Sequence, residues 1–207
     1  MSKQATESML SKVNRIIGID ESYKAPERIM EIISNKELSG SVFKKFLAEF
    51  DYDLSYEWFN EYFADEHADR KKKKQDFTPT SISRLMSEMQ GKNPQYGVIY
   101  EPAAGTGSTI ISHWHKETRK HKVPWDYHPD YYLYLCEELS NKTIPFLLFN
   151  LLIRGMNAVV IHGNALTREA KEVYHCDNVK DSFMDFSELK KFPHTKEVEE
   201  FFNVKFT

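Results

Sequence analysis

Tyr100-Glu101-Pro102-Ala103-Ala104-Gly105-Thr106-Gly107-Ser108 follows directly on the short apolar run Gly97-Val98-Ile99-Tyr100. An apolar run bounded by Gly and Pro reads as a buried strand, and the small residues after it read as a loop. Working outward, Tyr131-Tyr132-Leu133-Tyr134-Leu135-Cys136 gives a second strand and Ala158-Val159-Val160-Ile161 a third. Between them the apolar segment 144–154 reads as a helix. Alternation of strand and helix predicts βαβ units and a parallel sheet. In such sheets the loop after the first strand lies at the topological switch point, where glycines let backbone approach a ligand and the next helix offers its N-terminus. The acidic pair Glu137-Glu138 closes the second strand, where a carboxylate is placed to accept hydrogen bonds from ribose hydroxyls. A nucleotide-like ligand is expected.

The 207 residues are 41% hydrophobic, 29% charged and 14% aromatic, the composition of a folding globular chain rather than a disordered one. The longest apolar run, 144–153, is broken by Pro145 and Asn150 and falls short of the roughly 18 to 20 residues a bilayer span needs. The polar N-terminus has no signal-peptide pattern, so cytoplasm is the expected compartment. Cys136 and Cys176 have neither CxxC spacing nor a disulfide framework and read as buried thiols. A net charge of -3 does not by itself indicate a nucleic-acid binder.

Charge divides the chain. Residues 49–69 contain Glu49, Asp51, Asp53, Glu57, Glu61, Asp65, Glu66 and Asp69 with no Lys or Arg, and the basic run Arg70-Lys71-Lys72-Lys73-Lys74 follows. A linker is expected there, dividing a helical N-terminal region (1–70) from a second domain (71–207). Before it, apolar residues recur at helical spacing through Val13, Ile17, Ile29, Ile33, Phe43, Phe46, Trp58 and Tyr62, predicting three or four helices. Gly40 would end the second and Ser41 cap the third. A short amphipathic helix is expected over 81–89, with Met86 and Met89 in the core. The last forty residues are poorly periodic, with a terminal strand expected around 201–206.

Phe77-Thr78-Pro79, then Glu101 to Ser108, then Glu138 with Asn150-Leu151-Leu152-Ile153-Arg154-Gly155, then His162-Gly163-Asn164-Ala165-Leu166, resemble in order and spacing the cofactor-binding half of DNA adenine-N6 methyltransferases. The modification (M) subunits of type I restriction-modification systems are the members it looks most like. The likeness covers about residues 68 to 166, nearly half the chain. It implies an α/β fold, a Rossmann-like methyltransferase core with a partial parallel sheet and a helical N-terminal region, and S-adenosyl-L-methionine as cofactor. Phe77, Thr78 and Pro79 would hold the methionine part of the cofactor. Glu101, Ala103, Gly105, Thr106 and Gly107 would form the loop beneath it. Glu138 would bind the ribose, and Asn164, with Ala165 and Leu166, would lie near the adenine ring, where the family has Asp and an amide oxygen can still pair with the exocyclic amine.

The family's Asn-Pro-Pro-Phe or Asn-Pro-Pro-Tyr segment, which orients the flipped adenine, has no counterpart, since the sequence holds no Pro-Pro pair. No catalytic residue is assigned. The expectation is a truncated methyltransferase whose first strand has an open edge, covered by the C-terminal segment, by a second copy or by a partner protein. Two functions follow: a DNA adenine-N6 methyltransferase whose methyl transfer is helped by residues without a recognised motif or by a second subunit, or a non-catalytic binder that occupies or modulates a restriction or modification complex. By analogy, a solitary subunit of this kind suits a phage or mobile element.

Lys71, Lys72, Lys73 and Lys74 would track a DNA backbone if they are more than a solvated linker. The acidic stretch, interleaved with Tyr52, Tyr56, Trp58, Phe59 and Tyr62, reads as a solvated face over an aromatic core, and more sharply as a DNA mimic. His113, His115, His121 and His128, with Trp114 and Trp125, lack regular metal-ligand spacing and are expected in a polar, aromatic loop over the cofactor.

Overall fold

The structure, a computed structural model, describes residues 7–69, 81–82, 97–123 and 126–207. Phe77, Thr78, Pro79, the cationic run 70–74, Met86, Met89 and Trp125 lie outside the described residues, as does most of the helix expected over 81–89.

The N-terminal region is helical: α1 (Met9–Ile17), α2 (Ala25–Ile33), α3 (Lys36–Glu49) and α4 (Phe59–Asp69). Each follows from local chemistry. The Ser8 side chain accepts from the Ser11 amide to start α1, and Gly18, at φ 77°, closes it by donating to Asn14 O. Pro26 sits in the first turn of α2. The expected break at Gly40-Ser41 is absent, because α3 starts earlier, where Asn35 Oδ1 accepts from Leu38 N at 3.0 Å. Buried Val42, Phe43, Phe46 and Leu47 then carry the helix through Gly40, whose preference against helix is worth only about 1 kcal/mol.

The α/β part runs β1 (Gly97–Glu101), α5 (Ser108–Thr118), β2 (Tyr132–Glu138), α6 (Ile144–Ile153), β3 (Ala158–Asn164), β4 (Glu169–Asp177), β5 (Glu188–Lys191), α7 (Lys196–Phe202) and β6 (Lys205–Phe206). Strands β1, β2 and β3 are parallel neighbours, as expected from the βαβ pattern. Beyond β3 the sheet turns antiparallel, with β4 on β3 and β5 on β4. The sheet is therefore mixed. Residues 201–206 are not one strand: Phe201 and Phe202 end α7, and only Lys205–Phe206 pairs, parallel to β4. Asn203, at φ 51°, makes the break by taking a left-handed helix cap.

The two faces of the sheet carry separate cores. Tyr134, Cys136, Ala158 and Val160 point into the larger cluster, shared with α6 and all four N-terminal helices. The alternate residues Val159 and Ile161 join Ala170, Val173 and Val204 under Phe192, Phe202 and Phe206. A bulge between His162 and Gly163 keeps Ala170 on this second face. Every residue of α6 is buried, as an all-round apolar helix requires. Cys136 and Cys176 are buried free thiols. Burial pushes both thiols well above the ordinary cysteine value. No described helix is long and apolar enough to cross a membrane.

β1 ends the strand order, and no described strand pairs with its outer edge. The C-terminal segment does not cover that edge, because β6 is spent on β4 at the other side of the sheet. Val98, Tyr100 and Leu133 stay exposed.

Candidate functional site

Parallel alignment brings the carboxyl ends of β1, β2 and β3 together, so the loop after Glu101, the residue Glu138 and the residues after His162 share one end of the sheet. Ala104 N donates to Glu137 O (2.9 Å) and Gly107 N to Ala104 O (2.8 Å), folding the loop back over β2. Gly105 and Gly107 take φ of +58° and +101°, which explains both glycines. A Cβ on Gly105 would face open space, whereas one on Gly107 would lie 3.1 Å from Leu147 Cδ1. Gly107 also occupies the N-cap position of α5 and makes no side-chain cap hydrogen bond. Glu101 Oε1 accepts from Ala103 N at 3.4 Å.

Glu137 and Glu138 point to opposite faces. Glu138 Oε2 accepts from Gly105 N (2.9 Å) and Oε1 from Ser140 N (2.7 Å), so its carboxylate is fixed against the glycine loop and each oxygen keeps a further lone pair. Glu137 is buried; its Oε1 accepts from the Tyr100 hydroxyl (2.7 Å) and from Arg168 Nη1 (2.6 Å). Arg168 also donates to Asn203 O and Phe202 O, both at 2.9 Å, tying the end of α7 to the sheet. The bond to Glu137 raises the Arg168 pKa above its ordinary value.

Asn164 Oδ1, expected to meet the exocyclic amine, accepts from Leu166 N (2.9 Å) and Thr167 N (3.4 Å), so its oxygen holds a turn. Ala165 is half-buried and Leu166 is 94% exposed. His162 Nε2 lies 2.9 Å from Asn141 Oδ1, and burial lowers the His162 pKa.

The histidines do not form a loop over this end. His113, Trp114 and His115 lie on α5, and His113 is buried between Tyr132 and Tyr134 of β2, its Nδ1 3.3 Å from the Tyr134 hydroxyl. His121 stacks on Tyr131, and His128 Nδ1 lies 2.9 Å from Asp181 Oδ2.

Beneath the loop lies a buried polar network that the sequence reading did not assign. Glu57, expected on a solvated face, is 2% exposed. Its Oε1 accepts from Phe59 N and Asn150 Nδ2, both at 2.7 Å, and its Oε2 from Asn60 N at 2.8 Å. It thereby satisfies the first amides of α4. Asn150 Nδ2 also donates to Thr106 O (2.8 Å), inside the loop. Asn60 Nδ2 donates to Ser108 Oγ at 2.9 Å. Arg154 donates to Asn150 Oδ1 (2.9 Å), Asn150 O (3.0 Å), Tyr56 O (2.7 Å) and Leu54 O (3.2 Å), with its guanidinium 4.1 Å from the Trp58 ring centre. Burial pulls the Arg154 pKa down to about 9, opposed by Glu57, so the group stays cationic at neutral pH. Burial raises the Glu57 pKa, against the lowering effect of Asn150 and the backbone donors. The signal for this network was an Asn within an otherwise apolar helix and an Arg four residues on, at its C-cap.

A family model described as N-6 DNA Methylase matches residues 52–199, more than half of the chain. The chain belongs to the N-6 DNA methylase family. The match begins within the acidic stretch, so it takes in Glu57 and α4 as well as the sheet. No curated protein matches the chain. N-6 DNA methylases are methyltransferases that generally use S-adenosylmethionine. The donor set fits such a group: a carboxylate held beside a glycine whose missing Cβ leaves open space, next to a helix start with no capping side chain.

Proposed function

We propose that this N-6 DNA methylase family member binds S-adenosyl-L-methionine over the loop 101–107 and serves DNA adenine-N6 methylation. The observation that carries the reading is the Glu138 carboxylate, anchored by the Gly105 and Ser140 amides with lone pairs to spare for two vicinal hydroxyls. Glu101, Ala103, Gly105, Thr106 and Gly107 form the floor of the site, Glu138 orients the ribose, and Asn164, Ala165 and Leu166 flank the base, with Asn164 offering its NH2 to a ring nitrogen. Phe77, Thr78 and Pro79 complete the methionine side, and Lys71, Lys72, Lys73 and Lys74 follow the DNA backbone. When bound, the cofactor supplies the electrophilic methyl group.

The division at residue 70 belongs to the same proposal: the helical region supplies Glu57 and Asn60 beneath the loop of the 71–207 domain. So does a partner, either a second copy or another protein, paired along the open edge of β1, and a cytoplasmic restriction-modification setting on a phage or mobile element. The missing Pro-Pro pair favours a second reading, in which the chain binds cofactor without methylating and modulates a modification complex. Calorimetric titration of wild type and E138A with S-adenosylmethionine tests the site, and E138A should bind about tenfold or more weakly. Equal affinities would place the ribose elsewhere. Methylation of unmodified DNA, read by methylation-dependent cleavage, separates the two readings.

A further inference from the structure

Among the described residues, the side chain that holds the Thr106 carbonyl of the glycine loop is Asn150, and Asn150 is itself held by Glu57. Glu57 belongs to the segment that opens α4, far from the loop in sequence, and is buried. Its neighbours Phe59 N, Asn60 N and Asn150 Nδ2 are all donors, so its two oxygens serve as acceptors only. Asn60 makes a second tie through Ser108 Oγ, and the Thr106 hydroxyl lies 3.4 Å from Asn60 Oδ1. The start of α4 and the loop are thus joined by polar links at Thr106, whose side chain also bonds Glu57, and at Ser108.

We infer that Glu57 is a positioning residue for the glycine loop: through Asn150 it fixes the Thr106 carbonyl, so that seating of α4 and the binding-competent shape of the loop are one event. Glu57 itself touches no ligand. The inference rests on the proposal that the loop binds S-adenosylmethionine, and it adds that affinity is set in part from the helical region. If loss of Glu57 leaves the loop competent in one molecule in ten, apparent affinity falls about tenfold, since the observed dissociation constant scales inversely with the competent fraction.

The test compares S-adenosylmethionine dissociation constants and melting temperatures for wild type, E57M, E57Q and Y62F. Met matches the length of Glu and removes every acceptor, whereas Gln restores one oxygen for Phe59 N and Asn150 Nδ2. Tyr62→Phe, on α4 like the Glu57 partners Phe59 and Asn60, removes a hydroxyl that donates to Asn14 Oδ1 of α1 at 2.9 Å, away from the loop, and controls for loss of stability alone. E57M is expected to bind about tenfold more weakly, E57Q to recover most of that loss, and Y62F to melt lower with wild-type affinity. Wild-type affinity in folded E57M, or equal weakening in Y62F, overturns the inference while leaving the cofactor site standing. No binding by wild type overturns both. Should E57M not fold, hydrogen exchange of wild type decides: bound S-adenosylmethionine should slow the amides of residues 59 and 60, and unchanged exchange there refutes the coupling.

Discussion

Replacing Arg154 by Met removes the central cation of the buried network while keeping an unbranched side chain over Trp58. The guanidinium donates to Tyr56 O, Leu54 O, Asn150 O and Asn150 Oδ1. Without it, the carbonyls of the turn entering α4 lose their donors, and the buried carboxylate of Glu57 loses the cation on the far side of Asn150. Removing one member of a buried charge pair typically costs about 3 to 5 kcal/mol, more than an exposed pair by severalfold. Hydrophobic contact retained by Met offsets a fraction of that, so about 3 kcal/mol is expected. For a chain of this size each kcal/mol moves the melting temperature by roughly 2 to 4 °C, giving a drop of about 6 to 12 °C. Urea titration monitored by far-ultraviolet circular dichroism and by tryptophan fluorescence measures it, because Trp58 reports the network directly. A double-mutant cycle with E57Q should show coupling, with R154M costing less once the carboxylate is neutral. A loss below about 1 kcal/mol would refute the reasoning, since a surface arginine gives that value.

Three other outcomes follow from the geometry. Burial holds His113 down to about 4, opposed by Glu117 and aided by Lys120 and Lys116, so the unfolded chain binds the proton first. Stability should therefore fall as pH drops from 6.5 toward 4, by about 3 kcal/mol at about 1.36 kcal/mol per pH unit, and H113F should flatten that dependence in pH-resolved urea titrations. Gly155→Ala would set a Cβ 2.3 Å from Asp185 O at φ +63°, a clash with backbone as well as left-handed strain, and should lower stability by about 2 kcal/mol or more in the same assay. Arg168→Ala frees the end of α7 and leaves buried Glu137 without its cation. Amide exchange in residues 196–207 should accelerate while α1 to α3 stay protected.

The parallel half of the fold was legible because its signals are local and strong. The runs at 97–101, 132–138 and 158–164 are apolar between turn residues, and the small residues 103–107 admit few backbones other than a tight loop. The alternation of side chains along β2 sends Glu137 and Glu138 to different partners, Glu138 to the glycine loop and Glu137 to Tyr100 and Arg168. The helices of the N-terminal region were visible in periodicity, but the start of α3 was expected at Ser41, whereas Asn35, an equally good capping type, starts it through its bond to Leu38 N. β4 was hidden by its own mixture: Glu169, Lys171, Glu172 and His175 interrupt Val173 and Tyr174, and a bulge shifts the alternation midway. Glu57 was misread because charge density along a segment says nothing about one carboxylate turned inward. Only the fold brings Asn150 and Arg154 to meet it.

The central claim is that the loop after β1 and the carboxylate ending β2 form a site for S-adenosylmethionine. Isothermal titration of the purified chain with S-adenosylmethionine and with S-adenosylhomocysteine tests it most directly. The account predicts saturable one-to-one binding of at least one of them at micromolar concentration, and absence of binding by both would contradict it.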